Sequence, residues 1–179
     1  AHYRESLAIE PQHSIYNDLG YVLERQGMSE EAVEAYREAL KIEPESAISH
    51  FNLATHLARK KEYSDAESHL RAALKTDANA KVYTGLGAVL WQQGRAEEAI
   101  TSLQTAIKTD PKSTGASNTL GKIFIEQGKL KEAASTYRLL AKNQPSAVAH
   151  QGLAQALTRM GRDKEASQEL AKAKTLEQN

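Results

Sequence analysis

The sequence predicts an all-α fold built from antiparallel helix pairs, and three observations carry that expectation. The chain of 179 residues aligns with itself at a period of 33 to 34, and self-similarity at that length marks a stack of supersecondary units. Within each unit apolar residues recur at i, i+3, i+4 and i+7, the pattern of one helix face. Glycine (10) and proline (4) are scarce and well spaced, which suits helices better than a turn-rich β architecture.

Taken in order, residues 1–12 read as the second helix of a truncated repeat, because YRESLAIEP at 3–11 matches YREALKIEP at 36–44 in seven of nine positions. Five full units follow, at 13–46, 47–79, 80–113, 114–146 and 147–179. Their first helices carry LGYVLERQG (19–27), LATHLARKK (53–61), LGAVLWQQG (86–94), LGKIFIEQG (120–128) and LAQALTRMG (153–161), with leading leucines 34, 33, 34 and 33 residues apart. The small residue after each leucine (Gly20, Ala54, Gly87, Gly121, Ala154) predicts close approach of a partner helix. Gly27, Gly94, Gly128 and Gly161 end the first helices, with Lys61 the exception. Second helices hold Ala32, Ala66, Ala99, Ala133 and Ala166 in step, and Pro44, Pro111 and Pro145 stop them, with Ala78 in the second unit's place. Ala166, Leu170, Ala173 and Leu176 complete the last helix. With no capping helix read after it, the chain is expected to be a piece of a longer protein or a trimmed array, whose open ends can mate with another copy.

In residues 13–46 the set Tyr16, Leu19, Gly20, Leu23, Gly27, Ala32, Tyr36, Ala39 and Pro44 resembles the tetratricopeptide repeat, whose period is 34. The resemblance covers the whole chain. It departs at His50, Ser117 and His150, which stand in the first aromatic slot, and at Leu140 in the late alanine slot. It implies a right-handed α-solenoid superhelix, a single array over 1–179. It also implies a use: such arrays bind peptides or helices along a concave surface lined by first helices.

Composition narrows the chemistry. The absence of cysteine removes disulfides, thiolate metal sites and cysteine nucleophiles. No apolar run approaches the roughly 18 residues of a membrane span, and no basic-then-apolar leader opens the chain. The expectation is therefore a cytoplasmic protein without membrane insertion, or a periplasmic one if a leader was removed. A net charge of zero gives no field for nucleic acid, and Arg59-Lys60-Lys61 is the one basic cluster. The charge is uneven, however: residues 1–46 hold 4 basic and 10 acidic side chains, a net of −6, leaving +6 over 47–179.

The six histidines do not form a ligand or catalytic pattern in the sequence. His50 and His150 occupy a packing slot, His50 and His56 are six apart and share no helix face, and His2, His13 and His69 have no carboxylate or imidazole at ligand spacing. Glu30-Glu31 and Glu97-Glu98 sit at starts of second helices, where the helix dipole favours acids. No HExxH, GxSxG, GxGxxG or P-loop pattern occurs. The expectation is a non-enzyme with no cofactor and no metal.

A binding surface is assigned by helical geometry at about 100° per residue. The slot of Trp91, the single tryptophan, holds Glu24, Ala58, Ile125 and Thr158 in the other units, and such variation marks a surface. The expected groove lining is Asn17 and Tyr21 from the first unit, with Glu24 beside them. Ile48, Phe51, Asn52 and Thr55 come from the second; Lys81, Thr84 and Trp91 from the third; Asn118, Lys122 and Ile125 from the fourth. Val148, Gln151, Gln155 and Arg159 complete it. Tyr21, Phe51, Trp91 and Ile125 are large apolar groups among amides, a mix suited to an extended peptide or a helix. A clamp for chaperone tails is disfavoured: Asn52 and Lys81 match such a set, but Asn17, Tyr21 and Gly85 do not. The expected function is a non-catalytic protein–protein interaction scaffold; alternatives are the recognition arm of a larger enzyme such as a glycosyltransferase, or a self-assembling scaffold.

Overall fold

The computed structural model describes residues 12–178, so the half-repeat helix expected over 1–12 lies outside the described residues except for Gln12. Among the described residues there are ten α-helices and no strand. The contacts divide the chain into two compact units, Ala1–Ala78 and Asn79–Asn179. Unit 1 contains α1 (His13–Arg25), α2 (Ser29–Ile42), α3 (Ala47–Arg59) and α4 (Tyr63–Thr76). Unit 2 contains α5 (Ala80–Gln92), α6 (Ala96–Thr109), α7 (Thr114–Glu126), α8 (Leu130–Asn143), α9 (Ala147–Arg159) and α10 (Asp163–Glu177). First helices are the odd-numbered ones, and each begins at or within one residue of an expected repeat boundary.

Every first helix ends in the same two hydrogen bonds. In the first, Gly27 N–H donates to Glu24 O (3.0 Å) and Met28 N–H to Leu23 O (3.0 Å), the reciprocal pair of a Schellman turn that satisfies otherwise orphaned carbonyls. That turn needs a left-handed residue, and Gly27 takes φ of 77° without a Cβ penalty. Lys61 makes the same turn at φ of 65°, with Lys61 N–H to Ala58 O and Glu62 N–H to Leu57 O. The exception in sequence is therefore no exception in structure.

The core of each pair is narrow. Ala32, Ala66, Ala99 and Ala133 have no exposed surface, so second helices press onto first helices along an alanine stripe. Tyr36 and Tyr137 are 1% exposed and lie over the small slots. A Cβ on Gly121 would stand 2.4 Å from the Tyr137 ring, and one on Gly152 2.2 Å from it. Tyr137 is thus held between α7 and α9, its hydroxyl donating to Asn118 O at 3.2 Å. Burial pushes its phenol pKa up to about 12.

Candidate functional site

The first-helix face of unit 1 is built by α1 and α3, which pack on each other directly. Tyr21 on α1 is 53% exposed and Ile48 on α3 is 59% exposed, large apolar groups that this unit leaves in water. Phe51, Asn52 and Thr55 are half-buried beside them on α3. Thr55 is tied to its own helix, its Oγ1 donating to Phe51 O at 2.8 Å. Arg25 Nη1 reaches the Tyr21 hydroxyl at 3.5 Å, a basic group on the same side of α1.

Asn17 differs from expectation. It is 5% exposed, and its Nδ2 donates to Ser49 Oγ at 2.6 Å. The small Ser49 lets α1 and α3 close over the amide, so Asn17 belongs to the seam between first helices. Its Oδ1 has no partner among the described residues.

Glu24, which stands in the slot that Trp91 fills in the third repeat, lies in the same seam of unit 1. Glu24 Oε1 accepts from His56 Nδ1 at 3.1 Å and from Arg59 Nη1, while Tyr36 OH reaches Oε2 at 3.5 Å. On its other side the His56 ring bonds Ser29 Oγ through Nε2 at 2.8 Å. This Ser29–His56–Glu24 chain has the connectivity of a nucleophile, base and acid. Here, however, the histidine is 4% exposed, and the acid is held by Arg59. The chain of bonds joins α1, α2 and α3, and sequence spacing could not reveal it because its members lie 27 and 32 residues apart. The same geometry explains Ile125, the second difference: it is 4% exposed, and Arg159 of α9 covers it, donating Nη1 to Ile125 O at 2.7 Å.

The remaining expected residues of unit 2 lie on α5, α7 and α9, all first helices. Lys81, Lys122 and Gln151 are exposed, and Thr84, Trp91 and Asn118 are half-buried. Asn118 offers both its carbonyl oxygens to Tyr137, and Gln151 is tied to α10 by Nε2 donating to Glu177 Oε1 at 2.7 Å. Trp91 stands in the last turn of α5. Gln155 and Arg159 are exposed on α9, and Val148 is 39% exposed.

Two histidines find partners that the sequence did not disclose. His13 Nδ1 lies 2.8 Å from Glu43 Oε2. His69 Nδ1 lies 2.9 Å from His50 Nδ1, and His50 Nε2 lies 3.0 Å from Pro44 O. A carbonyl accepts only, so His50 carries its proton on Nε2, and His69 Nδ1–H donates to the bare Nδ1 of His50. Burial first, and His50 second, hold the His69 pKa below its ordinary value. His150 is paired in the slot expected for it, with Nδ1 2.6 Å from Glu169 Oε2. Burial opposes the Glu169 charge, yet hydrogen bonds from Lys172 and His150 hold its carboxyl below the usual range. Among the described residues no three ligand-type side chains converge as a metal site, and no helix is long and apolar enough to cross a membrane.

Comparison with known proteins fits this architecture. The family model described as tetratricopeptide repeat matches residues 17–81, 84–148 and 118–177. The chain is 33% identical over 134 residues to the type IV pilus assembly protein PilF of Pseudomonas aeruginosa, a match over 72% of this chain and 52% of that protein. The chain therefore spans about half the length of this curated relative. A solved structure of Pseudomonas aeruginosa PilF superposes with a TM-score of 0.81 at 26% identity, covering 91% of this chain and 75% of the other. A crystal structure of MamA gives a TM-score of 0.76 at 25% identity, covering 93% and 92%.

Proposed function

The chain belongs to the tetratricopeptide repeat family, and on that footing we propose that it is a non-catalytic scaffold whose first-helix faces bind a peptide or helix of another protein. The observation that carries this reading is the pair Tyr21 and Ile48, more than half exposed on adjacent first helices, with Phe51 and Asn52 beside Ile48 on α3. Apolar anchors give a partner area to bury, and amides can bond an extended backbone. In unit 2, Lys81, Thr84, Trp91, Asn118, Lys122 and Gln151 offer the corresponding mixture. Asn17 and Ile125 contribute by holding the seam.

The test pans a peptide library against the immobilised protein and measures affinity for the recovered peptides. Replacing Tyr21 and Phe51 together by Ala is expected to weaken binding by at least about tenfold, the size of hot-spot losses, with Tm nearly unchanged. Binding retained in a folded double variant would contradict the assignment.

A second, finer reading is assembly of type IV pili, favoured by the identity to PilF. Expression of this chain in a Pseudomonas aeruginosa strain lacking PilF is expected to restore surface pili; a bald strain with the protein present would reject it.

A further inference from the structure

We propose that one copy of this chain binds a second copy through two unlike faces, an acid-walled groove on α1 and α2 receiving the basic outer face of the second copy's α8. The groove measures about 320 Å3, with Tyr16, Leu19, Leu23 and Ala35 as an apolar floor. Glu30, Glu34 and Glu38 of α2 also line it. They recur every four residues, so they stand about 6 Å apart along the helix axis. Glu34 and Glu38 hold Arg37 and Lys41 only through exposed i,i+3 pairs. Such pairs contribute little in water, so exchanging them for cations of another molecule costs little.

The matching face lies on α8. Lys131, Arg138 and Lys142 fall within about 40° of one another at 100° per residue, and all three are exposed. None of the three forms an ion pair or side-chain hydrogen bond among the described residues. Leu139, on the flank of this stripe, is 46% exposed. The step from Arg138 to Lys142 is four residues, equal to that from Glu34 to Glu38. Two cations can therefore meet two carboxylates while Leu139 enters the apolar floor. The charge of the whole chain favours this encounter: residues 1–78 hold 9 basic and 14 acidic side chains, a net of −5, and residues 79–179 hold 14 and 9, a net of +5. Because the two faces differ, the contact is heterologous, and each bound copy keeps one groove or one α8 face free for the next. Neither face includes Tyr21, Ile48, Phe51 or another residue assigned to peptide binding, so the first-helix binding face stands or falls separately.

Sedimentation velocity of the full chain over a concentration series, in about 20 mM and about 500 mM salt, tests this. The expected result is mass that rises with concentration in low salt and returns to the monomer in high salt. Arg138→Glu with Lys142→Glu, and separately Glu34→Lys with Glu38→Lys, are each expected to stay monomeric. An equimolar mixture of the two variants is expected to regain the larger mass, because each reversed face then meets its complement. Circular dichroism checks that both fold, and Arg138→Gln with Lys142→Gln serves if a reversal does not. A monomer at every concentration in low salt, assembly that survives either reversal, or a mixture that stays monomeric would overturn the proposal.

Discussion

Tyr137 shows how much of this molecule is decided by the absence of a side chain opposite. Its ring occupies the space that a Cβ on Gly121 or Gly152 would fill. Gly152→Ala is expected to destabilise the protein by about 1–3 kcal/mol, the usual cost of overpacking, read as a lower urea midpoint; an unchanged midpoint would mean that α8 and α9 can separate freely. Gly121 was legible from the sequence because it follows the repeated leucine. Gly152 was not, since it precedes that leucine and meets the tyrosine of the unit before its own. His69 gives a residue-scale prediction with a sign. Its folded pKa is depressed, so the unfolded chain takes up the proton first. The stability it contributes is full above about 6.5 and is lost as pH falls through the lower folded value. The fall in urea midpoint between about pH 7.5 and 5.5 is therefore expected to be smaller in His69→Gln than in the unaltered chain. Equal slopes would show that the His50–His69 bond carries no linkage.

At the scale of the helix, punctuation was the most readable feature. Glycine spacing located four of five first-helix ends, and proline located three of five second-helix ends. The fifth turn is informative because Lys61 adopts the same left-handed conformation, showing that tertiary packing imposes the turn whatever residue stands there. A side chain in that region costs roughly 1–2 kcal/mol, partly offset by the freedom glycine adds to the unfolded chain. Lys61→Gly is thus expected to raise stability by somewhat under about 1 kcal/mol, seen as a higher unfolding midpoint with unchanged helix content; a lower midpoint would contradict this reading of the turn. What the helix pattern could not resolve was burial at the seam. An angle about one helix axis says which side a residue faces, but Asn17 and Ile125 are covered by first helices about one repeat further along the chain. The variation in Trp91's slot reflects different solutions to that contact: a carboxylate held by His56 and Arg59 at Glu24, and an apolar side chain beneath Arg159 at Ile125.

For the molecule as a whole, the repeat period alone made the family and the helix pairing legible, because each unit buries its apolar stripe only by stacking on its neighbours. The division into two compact units and the opposed charge of the two chain segments depend on totals over many residues, and only the charge could be counted beforehand. Exposure was legible at Tyr21, Ile48, Lys81, Lys122 and Gln151, and misjudged at Asn17 and Ile125, where neighbouring repeats close over the side chains. The central claim is that first-helix faces meet a partner, and the single tryptophan on α5 supplies a direct reporter. Titrating the protein with a tryptophan-free peptide recovered by panning, while recording Trp91 emission, is expected to give a saturable blue shift as the half-buried indole loses its remaining water. Emission that stays unchanged while an independent method reports saturation would place the binding surface elsewhere.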